Sequence, residues 1–276
     1  MSAIVYDQHV HSRHSFDSRT DPQDNVRAAI ERGLAGLTFA EHFDLHPQER
    51  VNCIYDQQAY SETIRSLRGQ FGDGTFIGLG IEVGYNRQGM DEVLEFLALR
   101  RFDLVILSFH HLDDRPIDHD EAWARHDASS GTGRYLEGVL EGVRFCRDLH
   151  RRGGRVFDVL GHMDLVKRYT HRIFGTTVVD QHGDLIDRIL TTCLEADLAV
   201  EINTSTLRQG LEESMPGTAV VKRYAALGGT AVSLGSDAHR AADVGADFDR
   251  AVEMLRDAGI SHTTVFHQRQ RTEIRL

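Results

Sequence analysis

Short apolar runs alternate along this chain with longer stretches in which apolar residues recur at helical spacing. Ile4 to His9 reads as a first strand. Asp21-Pro22 opens a helix, Asp as N-cap and Pro in the first turn, that ends at Glu31-Arg32 before Gly33. The pattern then predicts strands over Leu37 to Ala40, Thr75 to Glu82 and Leu104 to Ser108, with helices over Tyr60 to Phe71 and Asp91 to Arg100. Asp113 to Gly131 is a long polar loop, and so a candidate functional segment or substrate lid. Arg134 to Arg151 is helical and stops at Gly153-Gly154; Phe157 to Gly161 is a fifth strand. A helix over Asp184 to Ala196, a strand over Leu198 to Asn203 and a helix over Pro216 to Leu227 follow, then a strand over Ala231 to Gly235. A helix near Ala246 to Ala258 and a short strand, about Thr263 to His267, precede a polar tail. Strands alternating with helices imply a parallel sheet with helices outside it. Closure into a (β/α)-type barrel is the simplest arrangement. A doubly wound open sheet is the alternative, although no G-x-G-x-x-G follows the first strand.

Composition narrows the chemistry. The 276 residues are 41% hydrophobic and 26% charged, as in ordinary soluble globular proteins. A formal net charge of -11 argues against a nucleic-acid partner but leaves room for a small phosphorylated one at a locally cationic or metal-bearing site. Cys53, Cys146 and Cys193 are far apart and form no C-x-x-C, so a reduced, cytoplasmic setting is expected. No signal peptide is apparent, and no run approaches the ~18 apolar residues of a membrane span. The sequence leaves the oligomeric state open.

Sixteen histidines are the unusual count. His9 and His11 stand two apart, a spacing that puts both imidazoles on one side of a strand. Alone an H-x-H pair says little. Here Glu41-His42, Glu82, His110-His111, His162, Asn203, and Asp237 with His239 stand at the ends of the later apolar runs. In a parallel barrel those ends converge on one face, where active sites lie. Imidazoles and carboxylates without cysteine suit Zn, Mn or Fe. So many ligands exceed the needs of one ion; two or three divalent ions fit better, and such clusters serve hydrolysis of phosphate esters or amides. His119, His126, His150, His171, His182, His262 and His267 read as surface residues, and His14 and His46 as solvated loop residues. Gly78-x-Gly80 reads as strand geometry rather than a phosphate loop.

These motifs resemble the polymerase-and-histidinol-phosphatase (PHP) superfamily over nearly the whole chain. Ser15 to Ser18, Gly80 to Glu82, Ser108 to Leu112, Pro116 to His119, Gly161 to Tyr169, Asn203 to Arg208 and Gly235 to Arg240 resemble its histidinol-phosphatase branch. The resemblance implies a distorted (β/α)7 TIM-like barrel in one domain over residues 1–276, with up to three metal ions. It implies that His9, His11, Glu82 and Asp237 hold a first ion, Glu82, His110 and His162 a second, and Asp17, His42 and His239 a third. It further implies hydrolysis of L-histidinol phosphate in histidine biosynthesis by a hydroxide shared between ions. Glu82, Asp237 and His239 are then the catalytic candidates. Lys167, Arg168, Arg208 and His42 are candidates for binding substrate, the arginines as bidentate phosphate anchors. Another small phosphomonoester, a nucleotide diester, an amidohydrolase-like reaction, or metal binding without catalysis are the alternatives.

Overall fold

The computed structural model describes residues 5–46 and 56–276; Cys53 lies outside them. β1 (Tyr6–Val10), α1 (Pro22–Glu31), β2 (Gly36–Asp44), α2 (Gln57–Phe71), β3 (Phe76–Gly84), α3 (Met90–Ala98) and β4 (Leu104–Ser108) alternate strictly. A ribbon of β5 (His111–Leu112) and β6 (Arg115–Pro116) and a turn of helix α4 (Asp120–Trp123) lead into α5 (Ala128–Arg151). Then come β7 (Val159–Leu160), α6 (Val166–Phe174), α7 (Gly183–Glu195), β8 (Ala199–Asn203), α8 (Thr218–Ala226), β9 (Val232–Gly235) and α9 (Phe248–Asp257). The hairpin β10 (His262–His267) and β11 (Gln270–Arg275) follows. Asp21 caps α1 by accepting the Gln23 N–H, the role its sequence position predicts.

Among the described residues, seven strands form one parallel sheet in the order β1-β2-β3-β4-β7-β8-β9. The last strand returns to the first. Val10 bridges Ala238 in parallel, and His9 O accepts the Asp237 N–H at 2.8 Å. Asp7 completes this seam. Its buried carboxylate accepts the Ser236 N–H (3.0 Å), the Ser236 hydroxyl (2.5 Å) and the Gly245 N–H (2.8 Å). The sheet is therefore a nearly closed, distorted (β/α)7 barrel and not an open doubly wound one. β2 is buried along its whole length, as strands of a covered parallel sheet are. A β-carbon on Gly78 would meet Thr38 Oγ1 at 2.3 Å, so this glycine lets neighbouring strands pack inside a narrow barrel.

Several expectations are corrected. Asp113 to Gly131 is not an irregular loop. It holds β6, α4 and the first turn of α5, which Asp127 and Ser130 begin with a capping box. Trp123 anchors it by donating to Ile117 O at 2.8 Å and meeting Phe174 edge-on, and Arg172 donates to Asp118 O at 2.7 Å. Arg168 and Tyr169, read without secondary structure, lie on helix α6. The polar tail is strand β11, paired in register with β10. Among the described residues no helix is long and apolar enough to cross a membrane.

The hairpin plugs the barrel floor. Phe266 is fully buried and packs in one cluster with Ala40, Leu104, Ile106, Val159 and Ala199. Gln8 ties it in, donating to Thr264 O at 2.6 Å and accepting the Phe266 N–H at 2.8 Å. Arg269, at the hairpin turn, reaches the buried Asp158. Phe266→Ala is expected to cost about 3–5 kcal/mol through the cavity it leaves. Urea unfolding should show a lowered midpoint, with metal uptake by the folded protein unchanged.

Candidate metal centre

The C-terminal strand ends and the loops that follow them bring eight side chains together with Glu82. Glu82 Oε1 lies 3.4 Å from His9 Nε2, 3.3 Å from His110 Nε2 and 2.8 Å from His162 Nε2. Its Oε2 lies 3.6 Å from His11 Nε2 and 2.8 Å from His42 Nδ1. Asp237 Oδ1 is 3.3 Å from His11 Nε2. Asp17 Oδ2 is 3.3 Å from His42 Nε2 and 2.9 Å from His239 Nε2. His9, His11 and Glu82 are buried, whereas Asp17 and His239 are each about one-third exposed at the mouth.

Two observations fit this set to metal ions. Two ligands about 2.1 Å from one ion at the tetrahedral angle lie roughly 3.4 Å apart, and five of the nitrogen–oxygen separations are 3.3–3.6 Å. Buried His9 Nε2 and His11 Nε2 face this centre without a hydrogen bond, which is costly unless something else satisfies them. Four overlapping triads have ligand atoms within 4.8 Å of one another: His9-His11-Asp237, His9-Glu82-His162, His42-Glu82-His110 and His11-His42-His239. The residues thus suit several ions.

The rings are held from behind. His9 Nδ1 lies 2.6 Å from Glu201, His110 Nδ1 3.0 Å from Asp44, His11 Nδ1 3.1 Å from Ser15 Oγ and His239 Nδ1 3.0 Å from Asp237 O. Each of these rings donates at Nδ1 and turns Nε2 inward. Glu201 and Asp44 were not singled out in the sequence, although each is an acid inside a buried apolar strand, where a carboxylate needs a partner. Glu41 is not among the ligand triads. It accepts the Ser12 and Ser15 hydroxyls, both at 2.5 Å, and burial pushes its pKa up to about 7. Asn203 turns the chain after β8, its Oδ1 accepting the Ser205 N–H and hydroxyl.

A cleft of about 280 Å³ opens over this centre. Arg168, Tyr169 and Leu165 form one wall, Phe16 another, and Pro116 to His119 a third. Arg168 reaches Ser205 Oγ at 2.6 Å and Asp237 Oδ2 at 3.6 Å. His42 also lines the cleft, but both its nitrogens are turned to Glu82 and Asp17. Lys167 is corrected: its ammonium is 0% exposed and lies 3.0 Å from both Asp164 and Glu213, beneath α6. Arg208 is corrected too. It does not line the cleft but braces the end of β9, donating to Ser236 O at 2.7 Å. His46 is buried and stacked on His111 at 4.1 Å, and His14 is half-buried against Thr63. His119 is exposed, as read, yet stands on the cleft rim.

A PHP domain model matches residues 7–205. The chain belongs to the PHP domain family. A PHP-domain structure similar to it is histidinol phosphate phosphatase from Lactococcus lactis, solved with zinc, L-histidinol and phosphate. It is 25% identical, with a TM-score of 0.85 over 98% of this chain and 100% of that one. A probable histidinol-phosphatase from Deinococcus radiodurans is 28% identical over 96% of this PHP chain and 97% of its own length. Another from Clostridium acetobutylicum is 25% identical over 93% and 95%.

The electrostatics of this PHP site predict opposite pH responses for the free and the metal-loaded protein. Burial opposes charge on His110, but Asp44 and Glu82 outweigh it and raise its pKa to about 10. His9 and His42 are also raised, burial being outweighed by Glu201 and Glu82 for one and by Glu82 and Asp17 for the other. A raised histidine pKa contributes stability that is full below its unfolded value of 6.5 and lost as pH rises through 10. The same protons compete with metal. The Tm of chelator-treated protein should therefore fall above pH 6.5. The Tm gained on adding zinc should grow across the lower half of that window. A gain that shrinks with rising pH would contradict this.

Proposed function

We propose that this chain is a metal-dependent phosphomonoesterase that hydrolyses L-histidinol phosphate to L-histidinol and phosphate, a step of histidine biosynthesis. The observation that carries the reading is the Glu82-centred cluster beneath a cleft that offers a guanidinium, in a chain of which 98% matches an enzyme solved with zinc, L-histidinol and phosphate. Residues 1–276 act as one domain in this reading, and its setting is cytoplasmic.

His9, His11, Glu82 and Asp237 would hold one ion, Glu82, His110 and His162 a second, and Asp17, His42 and His239 a third. Zinc is favoured by the relative, while manganese and iron suit the same donors. Bound divalent ions supply Lewis acidity and lower the pKa of water towards neutrality. The protein's own groups do the rest. Arg168 binds phosphate oxygens from the α6 wall, its fork suited to two of them. Phe16 and Tyr169 flank the organic part, and the rim carboxylate of Asp118 faces a substrate whose tail is cationic. Asp237 and Glu82 orient the imidazoles they touch. His239 stands at the cleft mouth with Nδ1 held by Asp237 O and Nε2 turned to the third ion's place beside Asp17.

Phosphate release from L-histidinol phosphate, against a panel of other phosphomonoesters and diesters, tests this with protein of known zinc or manganese content. Selective, metal-dependent turnover is expected. Activity confined to other esters would discard the substrate; none on any ester by metal-replete protein would discard the hydrolase.

A further inference from the structure

Glu201 sits on β8, inside the barrel and buried, with an oxygen for each of two candidate ligands from different strands. Oε1 lies 2.6 Å from His9 Nδ1, and Oε2 accepts the backbone N–H of His162 at 2.8 Å. Asn203 Nδ2 donates to Oε2 as well, at 3.2 Å. The neighbouring strands make room for it. A β-carbon on Gly235 would stand 2.2 Å from Oε1, and one on Gly161 would stand 3.5 Å from Oε2. His9 and His162, the two residues so held, stack with ring centroids 5.7 Å apart, and both turn Nε2 to the same oxygen of Glu82.

We propose that Glu201 is a positioning residue of the metal centre: one carboxylate fixes His9 with Nε2 free to ligate and sets the spacing between His9 and His162. A carboxylate behind a ligand imidazole fixes its tautomer and orientation and strengthens its free nitrogen as a donor. His11 has a hydroxyl in that place, and Asp44 is hydrogen-bonded to His110. Glu201 thus joins a first-ion ligand to a second-ion ligand. The proposal rests on the metal-centre reading above, and not on the identity of the substrate.

Glu201→Gln is the informative change. Glutamine offers one acceptor oxygen to two N–H donors, so its amide must turn an N–H towards either His9 Nδ1 or the His162 N–H. Zinc occupancy of the full-length protein, measured by mass spectrometry after dialysis against zinc buffers of graded free concentration, should need about 10- to 100-fold more free zinc to reach half-saturation. A far-UV spectrum like that of the wild type accompanies it. Unchanged zinc affinity in a folded variant would overturn the proposal and leave Glu201 a purely structural carboxylate. Wild-type protein that takes up no zinc would overturn the metal-centre reading with it. A second measurement needs no variant. In zinc-loaded wild-type protein, long-range proton–nitrogen spectra should place the His9 proton on Nδ1; a proton on Nε2 would overturn the assignment.

Discussion

Glu82→Gln is expected to abolish turnover and strip the protein of more than one metal ion. Five imidazoles converge on this carboxylate, three at Oε1 and two at Oε2. Burial opposes its charge, but His9, His42 and His110 hold its pKa well below the ordinary carboxylate range. Glutamine keeps the volume and one acceptor oxygen but loses the charge, and its amide N–H groups point at nitrogens that ought to ligate. Removing a partner behind a ligand costs about 10- to 100-fold in metal affinity, so losing a shared ligand should cost more. Elemental analysis after dialysis, alongside phosphate release, checks this. A Glu82→Gln protein that kept the wild-type metal content would show that Glu82 is not shared between ions. Asp17→Asn makes the contrast. Asp17 touches only His42 and His239 among the cluster, at the solvent-facing mouth, so the inner ions should remain.

The cluster was legible in the sequence because parallel strands bring their C-terminal ends together. A histidine or acid at such an end has a place in space as soon as the strand is recognised. The residues behind the ligands were harder to read, since their partners are remote: His9 and Glu201 are 192 positions apart. One local signal was present for Asp44, which stands two residues after His42 on a strand longer than its apolar run suggests. Lys167 and Arg168 show a different limit. Read as neighbours directly after the strand-five ligand, both cations were candidates for binding substrate. On helix α6 adjacent residues diverge by about 100°, so Arg168 lines the cleft while Lys167 is buried against Asp164 and Glu213. The helix was obscured by its polar run, in which Tyr169 is the one large apolar side chain between Val166 and Ile173-Phe174. Likewise the polar composition of residues 113–131 hid their packing, which rests on Ile117, Ala122 and Trp123.

Arg168→Ala should raise KM for the phosphorylated substrate about 10- to 100-fold, the equivalent of the roughly 1.5–3 kcal/mol of a hydrogen bond to a charged group, with metal content intact. Arg168 is 22% exposed at the cleft wall and donates there to Ser205, which is not a ligand in any triad. Lysine at this position keeps the charge without the planar fork, so Arg168→Lys should fall between the two. Inorganic phosphate, the product, decides what the side chain does. An arginine that grips the phosphoryl group grips the product as well, so the inhibition constant of phosphate should rise by the same factor as KM. The guanidinium also lies 3.6 Å from Asp237, and an arginine whose work is to hold that carboxylate would behave otherwise. Its loss would lower kcat and metal content together and leave phosphate inhibition unchanged, which would move Arg168 from substrate binding to support of the metal centre.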